Sequence, residues 1–140
     1  MKNMNLIAVY DPSGTRVLMC KRRKNPYLGL YNLIGGKIEP GEEHMHAAYR
    51  ELWEETGITH DDVELIHYAS FAYHTTGEML EWYVGQLSEM KPVFGDENDL
   101  EWIELTENFF DMSRFAGEGN IGHVLEEIRL EGIIKRGENR

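Results

Sequence analysis

The stretch GKIEPGEEHMHAAYRELWEETGI, Gly36 to Ile58, decides how this chain is read. From Glu43 to Thr56 it carries the spacing of an amphipathic helix of about 3.6 residues per turn. Met45, Tyr49, Leu52 and Thr56 form one stripe, expected to face a core. Glu51, Glu54 and Glu55 form another, at spacings that set the three carboxylates beside one another. Ala47 lies one turn earlier on that face and would leave space for a ligand. Arg50 precedes Glu54 by four residues, where a charge-assisted hydrogen bond can fix the carboxylate. Gly57 follows directly, where a left-handed residue ends a helix. Most acidic stripes are solvated faces. Glycines on either side speak against that here, and crowded like charges repel. A hard divalent cation with oxygen ligands turns that repulsion into binding, and Mg²⁺ shares its shell between carboxylates, waters and substrate phosphates.

The flanking segments alternate between strand and turn. Asn5 to Tyr10 reads as a strand, Asp11-Pro12-Ser13-Gly14 as a tight turn and Arg16 to Cys20 as the hairpin partner. Lys21 to Tyr31 is a loop whose cations Lys21, Arg22, Arg23 and Lys24 precede a glycine pair and suit anion contact. Asn32 to Ile34 is a short strand. Val63 to Tyr73 and Met79 to Leu87 read as strands joined by a turn at Thr76-Gly77, and Leu100 to Leu105 as another. A last helix is expected over Ile121 to Ile134, weakened near Gly132, with a frayed tail over 135–140. Strands mixed with two main helices predict an α/β fold, a sandwich around a mixed sheet. The 140 residues suit one domain over the whole chain.

Bulk properties exclude several classes. A formal charge of −11 argues against a nucleic-acid polymer as partner, though not against a nucleotide whose cations invert the local field. No apolar run approaches membrane-spanning length, so no membrane partner is expected. The N-terminus lacks a signal-peptide pattern, which makes a cytoplasmic location the default. Cys20, the single cysteine, sits in an apolar run and reads as a packed thiol. The histidines read as structural or surface residues: His44 and His46 stand two apart and make a poor metal pair, and His67, His74 and His123 lack close partners in sequence.

Gly36, five residues, Glu42, seven residues, Arg50-Glu51-Leu52, one residue, Glu54-Glu55, one residue, Gly57-Ile58: this pattern resembles the complete Nudix box. The resemblance implies a Nudix-type α/β/α sandwich and hydrolysis of a nucleoside diphosphate linked to a further group. It implies that Glu54 and Glu55, with Glu51 and the Gly36 carbonyl, hold Mg²⁺ (Mn²⁺ being an alternative), and that Arg50 orients a glutamate. Homodimers are common in the family. Its members use no single general base, so Glu54, Glu51 or a later acidic residue remain open. Among Asp96-Glu97-Asn98-Asp99, Glu97 is the choice for an extra ligand or base. A calcium loop starting at Asp96 fails, because Leu100 occupies a ligand position and Glu101 stands where glycine is needed.

Tyr31-Asn32-Leu33-Ile34-Gly35-Gly36-Lys37 is similar to the Trp-Asn-Gly-x-Gly-Gly-Lys stretch of oxidised-purine nucleoside triphosphatases in that family, with Tyr31 for Trp and Leu33 for Gly. That likeness makes Arg22 and Lys37 phosphate contacts and Asn32 a reader of the base. Asn120 is either a second base reader or the N-cap of the last helix. Three functions stand: a nucleoside triphosphate pyrophosphohydrolase, as for 8-oxo-dGTP; a hydrolase of ADP-ribose or a nucleotide sugar; or a non-catalytic nucleotide sensor. Intact Glu51, Glu54 and Glu55 disfavour the last.

Overall fold

The computed structural model describes residues 2–137. In chain order it forms β1 (Lys2–Tyr10), β2 (Arg16–Lys21), β3 (Tyr31–Leu33), α1 (His44–Thr56), β4 (Ile66–Tyr73), β5 (Glu78–Gln86), β6 (Asp99–Glu104) and α2 (Asn120–Glu131). The sheet runs β3-β2-β1-β5-β4, with β6 antiparallel to β2. It is mixed, because β1 lies parallel to β5 from Lys2↔Glu78 to Tyr10↔Gln86. That long parallel pairing explains why β1 starts at Lys2 and not at Asn5.

The β1–β2 hairpin is registered at Tyr10↔Val17, and the chain of residues 31–37 runs beside both strands. β3 pairs with β2, while Ile34 and Lys37 bridge to Ile7 and Met4 of β1. The glycine pair is thereby held against the middle of the sheet.

Alternation along β1 feeds two cores, since successive strand residues face opposite sides. Ile7 and Val9 join Ala48, Leu52, Ile58 and Tyr83 beneath α1. Ala8 and Tyr10 join Trp82, Phe115, Ile121, Val124 and Ile128 beneath α2. These two layers on one sheet are the α/β/α sandwich. In α1, Leu52 and Thr56 are buried as the stripe predicts, with Met45 and Tyr49 packed at its margin. Ala47 is fully buried, which corrects the expectation that it leaves room for a ligand. The Glu43 carboxylate caps the helix by accepting from the His46 N–H, and Gly57 closes it in the left-handed region at φ 82°.

Two further boundaries shift. Val63 and Leu65 are buried beneath α1 before any strand starts, and β4 begins only at Ile66. The last helix ends at Glu131, because Gly132 adopts φ 68° and its N–H turns back to the Arg129 carbonyl. Beyond it, the Gln86 side chain bonds both the N–H and the carbonyl of Lys135, and the Gly137 N–H donates to Ser13. Residues 138–140 of the stretch expected to fray lie outside the described residues.

Asp11 anchors the first turn. Its buried carboxylate accepts from Ser13 Oγ, from the Thr15 and Arg16 N–H groups and from Arg16 Nε. Burial alone would raise this carboxyl, but the bonds from Ser13, Arg16 and Thr15 outweigh it and hold it below the usual value. Such a group stabilises the fold above the unfolded pKa of about 4 and loses that effect as pH falls through its lower folded value. Asp11→Asn is therefore expected to cost about 1–3 kcal/mol at neutral pH. Urea unfolding of both proteins should show the gap narrowing towards pH 3; an unchanged gap would contradict the assignment.

Candidate active site

The exposed face of α1 meets the glycine loop so closely that side chains are excluded there. A Cβ on Gly36 would lie 2.6 Å from the Glu51 carboxyl carbon, and one on Gly35 would lie 2.0 Å from the Asn5 carbonyl oxygen. Asn5 fixes this loop twice: its N–H donates to the Gly36 carbonyl at 2.8 Å, and its side-chain oxygen accepts the Gly36 N–H at 2.9 Å. The Gly35 N–H donates to Glu55 at 3.2 Å. Asn5 was missed in the sequence reading, where its signal is one amide opening an otherwise apolar strand.

Arg50 organises the carboxylates. Its Nε and Nη2 grip both oxygens of Glu42, at 2.7 and 3.0 Å. Nη1 donates to Glu51 at 3.1 Å and to Glu54 at 2.8 Å, and Nη2 also reaches the Lys37 carbonyl. The predicted contact with Glu54 exists, but Glu42 is the principal partner. Arg50, with the Glu39 N–H, holds the Glu42 carboxyl down to about 2. Deeper in, burial raises Glu51, and burial followed by repulsion from Glu51 pushes Glu55 up to about 8. Cys20 is also buried, which raises its thiol to about 11 and leaves it inert, as a packed thiol.

Glu51, Glu54 and Glu55 line a cavity of about 340 Å³ together with Gly35, Gly36, Arg22, Asp96 and Glu97. Arg23 ties the acidic loop to the basic one: it pairs with Asp99, its N–H donates to Asn98 and its Nη1 reaches the Asp96 carbonyl. Glu97 thus comes to the same cavity as the helix glutamates. Arg22, Gly35, Gly36 and Glu55 also border a second cavity of about 630 Å³, whose walls include Asn32, Asn120, Leu80, Trp82 and Ile121. A third, of about 640 Å³, lies beside α2 near Tyr10 and Arg129, away from these carboxylates.

Two sequence expectations find no support in this geometry. Lys37 is exposed and borders neither cavity; its carbonyl serves Arg50 instead. Asn120 is not an N-cap, since Gly119 holds that position and α2 has no side-chain cap bond. Asn32 borders the larger cavity while its own oxygen accepts the Leu33 N–H. The histidines gain partners that sequence spacing hid: His44 and His67 contact the two oxygens of the buried Glu81, at 2.6 and 3.3 Å.

Among the described residues no three acidic, His or Cys side chains converge as a finished metal cluster. Glu54 is drawn to Arg50, and Glu51 and Glu55 stand in mutual repulsion. The donor set nevertheless suits a hard cation: several carboxylates share one cavity, and Glu55 is raised by burial and by the neighbouring charge of Glu51.

The fold is an α/β/α sandwich with an acidic cavity at the glycine loop, and the Nudix domain profile matches residues 2–126. The chain belongs to the Nudix family and is a Nudix hydrolase. It is 30% identical over 106 residues to the oxidized purine nucleoside triphosphate hydrolase of Danio rerio, covering 74% of this chain and 67% of that one. The same enzyme of Mus musculus is 28% identical, over 71% of this chain and 64% of its own length. Among solved structures, the E. coli dihydroneopterin triphosphate pyrophosphohydrolase superposes with a TM-score of 0.72 at 20% identity, covering 91% of this chain and 95% of that one. At that identity the likeness concerns the fold alone. Among the described residues no helix is long and apolar enough to cross a membrane.

A carboxyl raised in the fold favours the protonated state, so the metal-free protein loses stability as pH rises from about 4.5 towards about 8. Mg²⁺ should relieve that loss by binding the deprotonated site, with release of a proton. Melts in Mg²⁺ and in EDTA are expected to differ more at pH 8 than at pH 6, and Glu55→Gln should flatten the pH dependence. Equal midpoints with and without Mg²⁺ at both pH values would contradict a cation site here.

Proposed function

We propose that the protein hydrolyses a nucleoside triphosphate to the monophosphate and pyrophosphate with Mg²⁺ or Mn²⁺, and that it prefers an oxidised purine of the 8-oxo-dGTP type. The observation that carries this reading is the group of Glu51, Glu54 and Glu55, three carboxylates against the one guanidinium of Arg50, in a cavity that shares walls with a second, largely apolar one. Resemblance of the Tyr31–Lys37 stretch and similarity to the two purine triphosphate hydrolases support the choice of substrate.

In this reading Glu51, Glu54 and Glu55, with the Gly36 carbonyl and Glu97, hold the cation. A divalent cation supplies neutralisation of phosphate charge and a more acidic water. Arg50 keeps Glu54 in place through one oxygen and leaves the other open towards solvent, since that side chain is 47% exposed. Glu54 is accordingly our choice of base, taking a proton from the attacking water. Arg22, on the wall common to both cavities, meets the phosphates. Asn32 and Asn120 face the base, and Leu80, Trp82 and Ile121 supply an apolar slot for the ring.

Glu54→Gln is isosteric on a solvent-facing stripe, so the fold should survive while kcat falls by about 10³-fold or more. A folded variant with most of its kcat in Mg²⁺ would remove the assignment. Product analysis over a nucleotide panel should find monophosphate and pyrophosphate from triphosphates, with ADP-ribose and nucleotide sugars as the competing substrates.

Asn32 tests the base. A side-chain amide presents one donor and one acceptor. Guanine offers two acceptors, N7 and O6, whereas 8-oxoguanine carries a hydrogen at N7 and so matches the amide. An unmatched buried group costs about 1–3 kcal/mol, which is roughly 5- to 150-fold. Asn32→Ala should bring kcat/KM for 8-oxo-dGTP down towards that for dGTP. Equal losses on both nucleotides would make Asn32 a structural residue.

A further inference from the structure

The larger cavity has a wall that the proposed chemistry leaves unused. Tyr27, from the loop after β2, and Glu118, just before α2, both border it. The Tyr27 hydroxyl donates to both oxygens of Glu118, at 3.0 and 2.9 Å. One hydroxyl hydrogen is shared between two charged acceptors, so the carboxylate is only half satisfied. Tyr27 and Glu118 are also the two non-glycine residues at positive φ among the described residues, at 67° and 51°. Glu118 is held there between Gly117 at 86° and Gly119 at 90°. A left-handed side-chain-bearing residue is strained, and one exposed hydrogen bond is a poor return for two such residues. The Gly-Glu-Gly arrangement thus presents a carboxylate to the cavity at a conformational cost that the unliganded contact does not explain.

Resting on the reading of this cavity as the base site, we propose that Glu118 is a specificity residue that accepts from the ring N1–H and the adjacent exocyclic 2-amino group of a 2-amino-6-oxo purine, and that the Tyr27 hydroxyl occupies the place of those donors until the ligand displaces it. Guanine and 8-oxoguanine both present N1–H beside a 2-amino group, one donor for each carboxylate oxygen. Hypoxanthine keeps N1–H and lacks the amino group. Adenine places its N1 acceptor where a donor is needed and so repels the carboxylate. Glu78, on the same wall, adds negative potential that favours donors over anions. This edge of the ring is distinct from the N7 and O6 edge assigned to Asn32, so the two contacts discriminate independently.

Hydrogen bonds to a charged acceptor correspond to roughly 10- to 100-fold in affinity. Titration calorimetry on the full chain in Mg²⁺, with guanosine and inosine 5′-monophosphates as probes, reads this directly. Wild type should bind the guanosine nucleotide at least about 10-fold tighter, and Glu118→Gln should bring the ratio close to one. Tyr27→Phe removes the internal competitor and should strengthen guanosine binding more than inosine binding; it decides the matter if Glu118→Gln does not fold. A wild-type ratio near one, a ratio that persists in Glu118→Gln, or guanosine binding that weakens in Tyr27→Phe would each overturn the proposal. Hydrolysis of dGTP and dITP, run in parallel, separates the two readings. Turnover of both without guanosine preference removes the Glu118 assignment and leaves the hydrolase. A Glu118-dependent preference in binding without any turnover does the reverse.

Discussion

Gly36 lies against the carboxylate of Glu51, at a separation that no Cβ would fit. The rest of the site depends on this contact. It brings a backbone loop and the acidic face of a helix into one cavity, and Asn5 fixes it by bonding both the N–H and the carbonyl of Gly36, beside the bridges of Ile34 and Lys37 to β1. Asn5 belongs to the central strand β1, which pairs in parallel with β5 and lies beneath α1. The geometry is therefore referred to the central strand of the sheet and not to loop conformation alone. A scaffold of this kind keeps groups positioned without further reorganisation when charge develops.

Electrostatics sets the opposite demand. A chain with a formal charge of −11 gathers Glu51, Glu54, Glu55, Asp96 and Glu97 around one small cavity, and burial makes the charges on Glu51 and Glu55 costlier. Arg50 is committed to Glu42, Glu51 and Glu54, so it orders the group without neutralising it. Glu42, gripped by both Nε and Nη2, acts as the fixed end of a tether. The innermost carboxyl, Glu55, is left to resolve the conflict by holding a proton or a cation.

The base-side cavity follows a different principle. Its walls come from β1, β5, the loop after β2 and the turn before α2, so no single segment determines it. Loops that meet from distant parts of a chain are where recognition differs most between proteins sharing a scaffold. Tyr27 and Glu118, 91 residues apart, meet in this way.

Local periodicity made the catalytic helix legible. The apolar stripe with Leu52 and Thr56, the acidic stripe, and the cap at Gly57 all lie within one segment and rest on spacings of three and four residues. The alternation in β1 and β2, and the expectation of a sandwich, were legible for the same reason. What the tertiary structure alone decided lies in contacts between segments far apart in sequence. These include the parallel partner of β1, the clamp of Asn5 on Gly36 and the pairing of Glu81 with His44 and His67. They also include the burial of Ala47 and the position of Lys37 outside the walls of both cavities. A single sequence carries no direct signal for such pairs, because they arise from how the sheet brings strands together and not from any repeat along one of them.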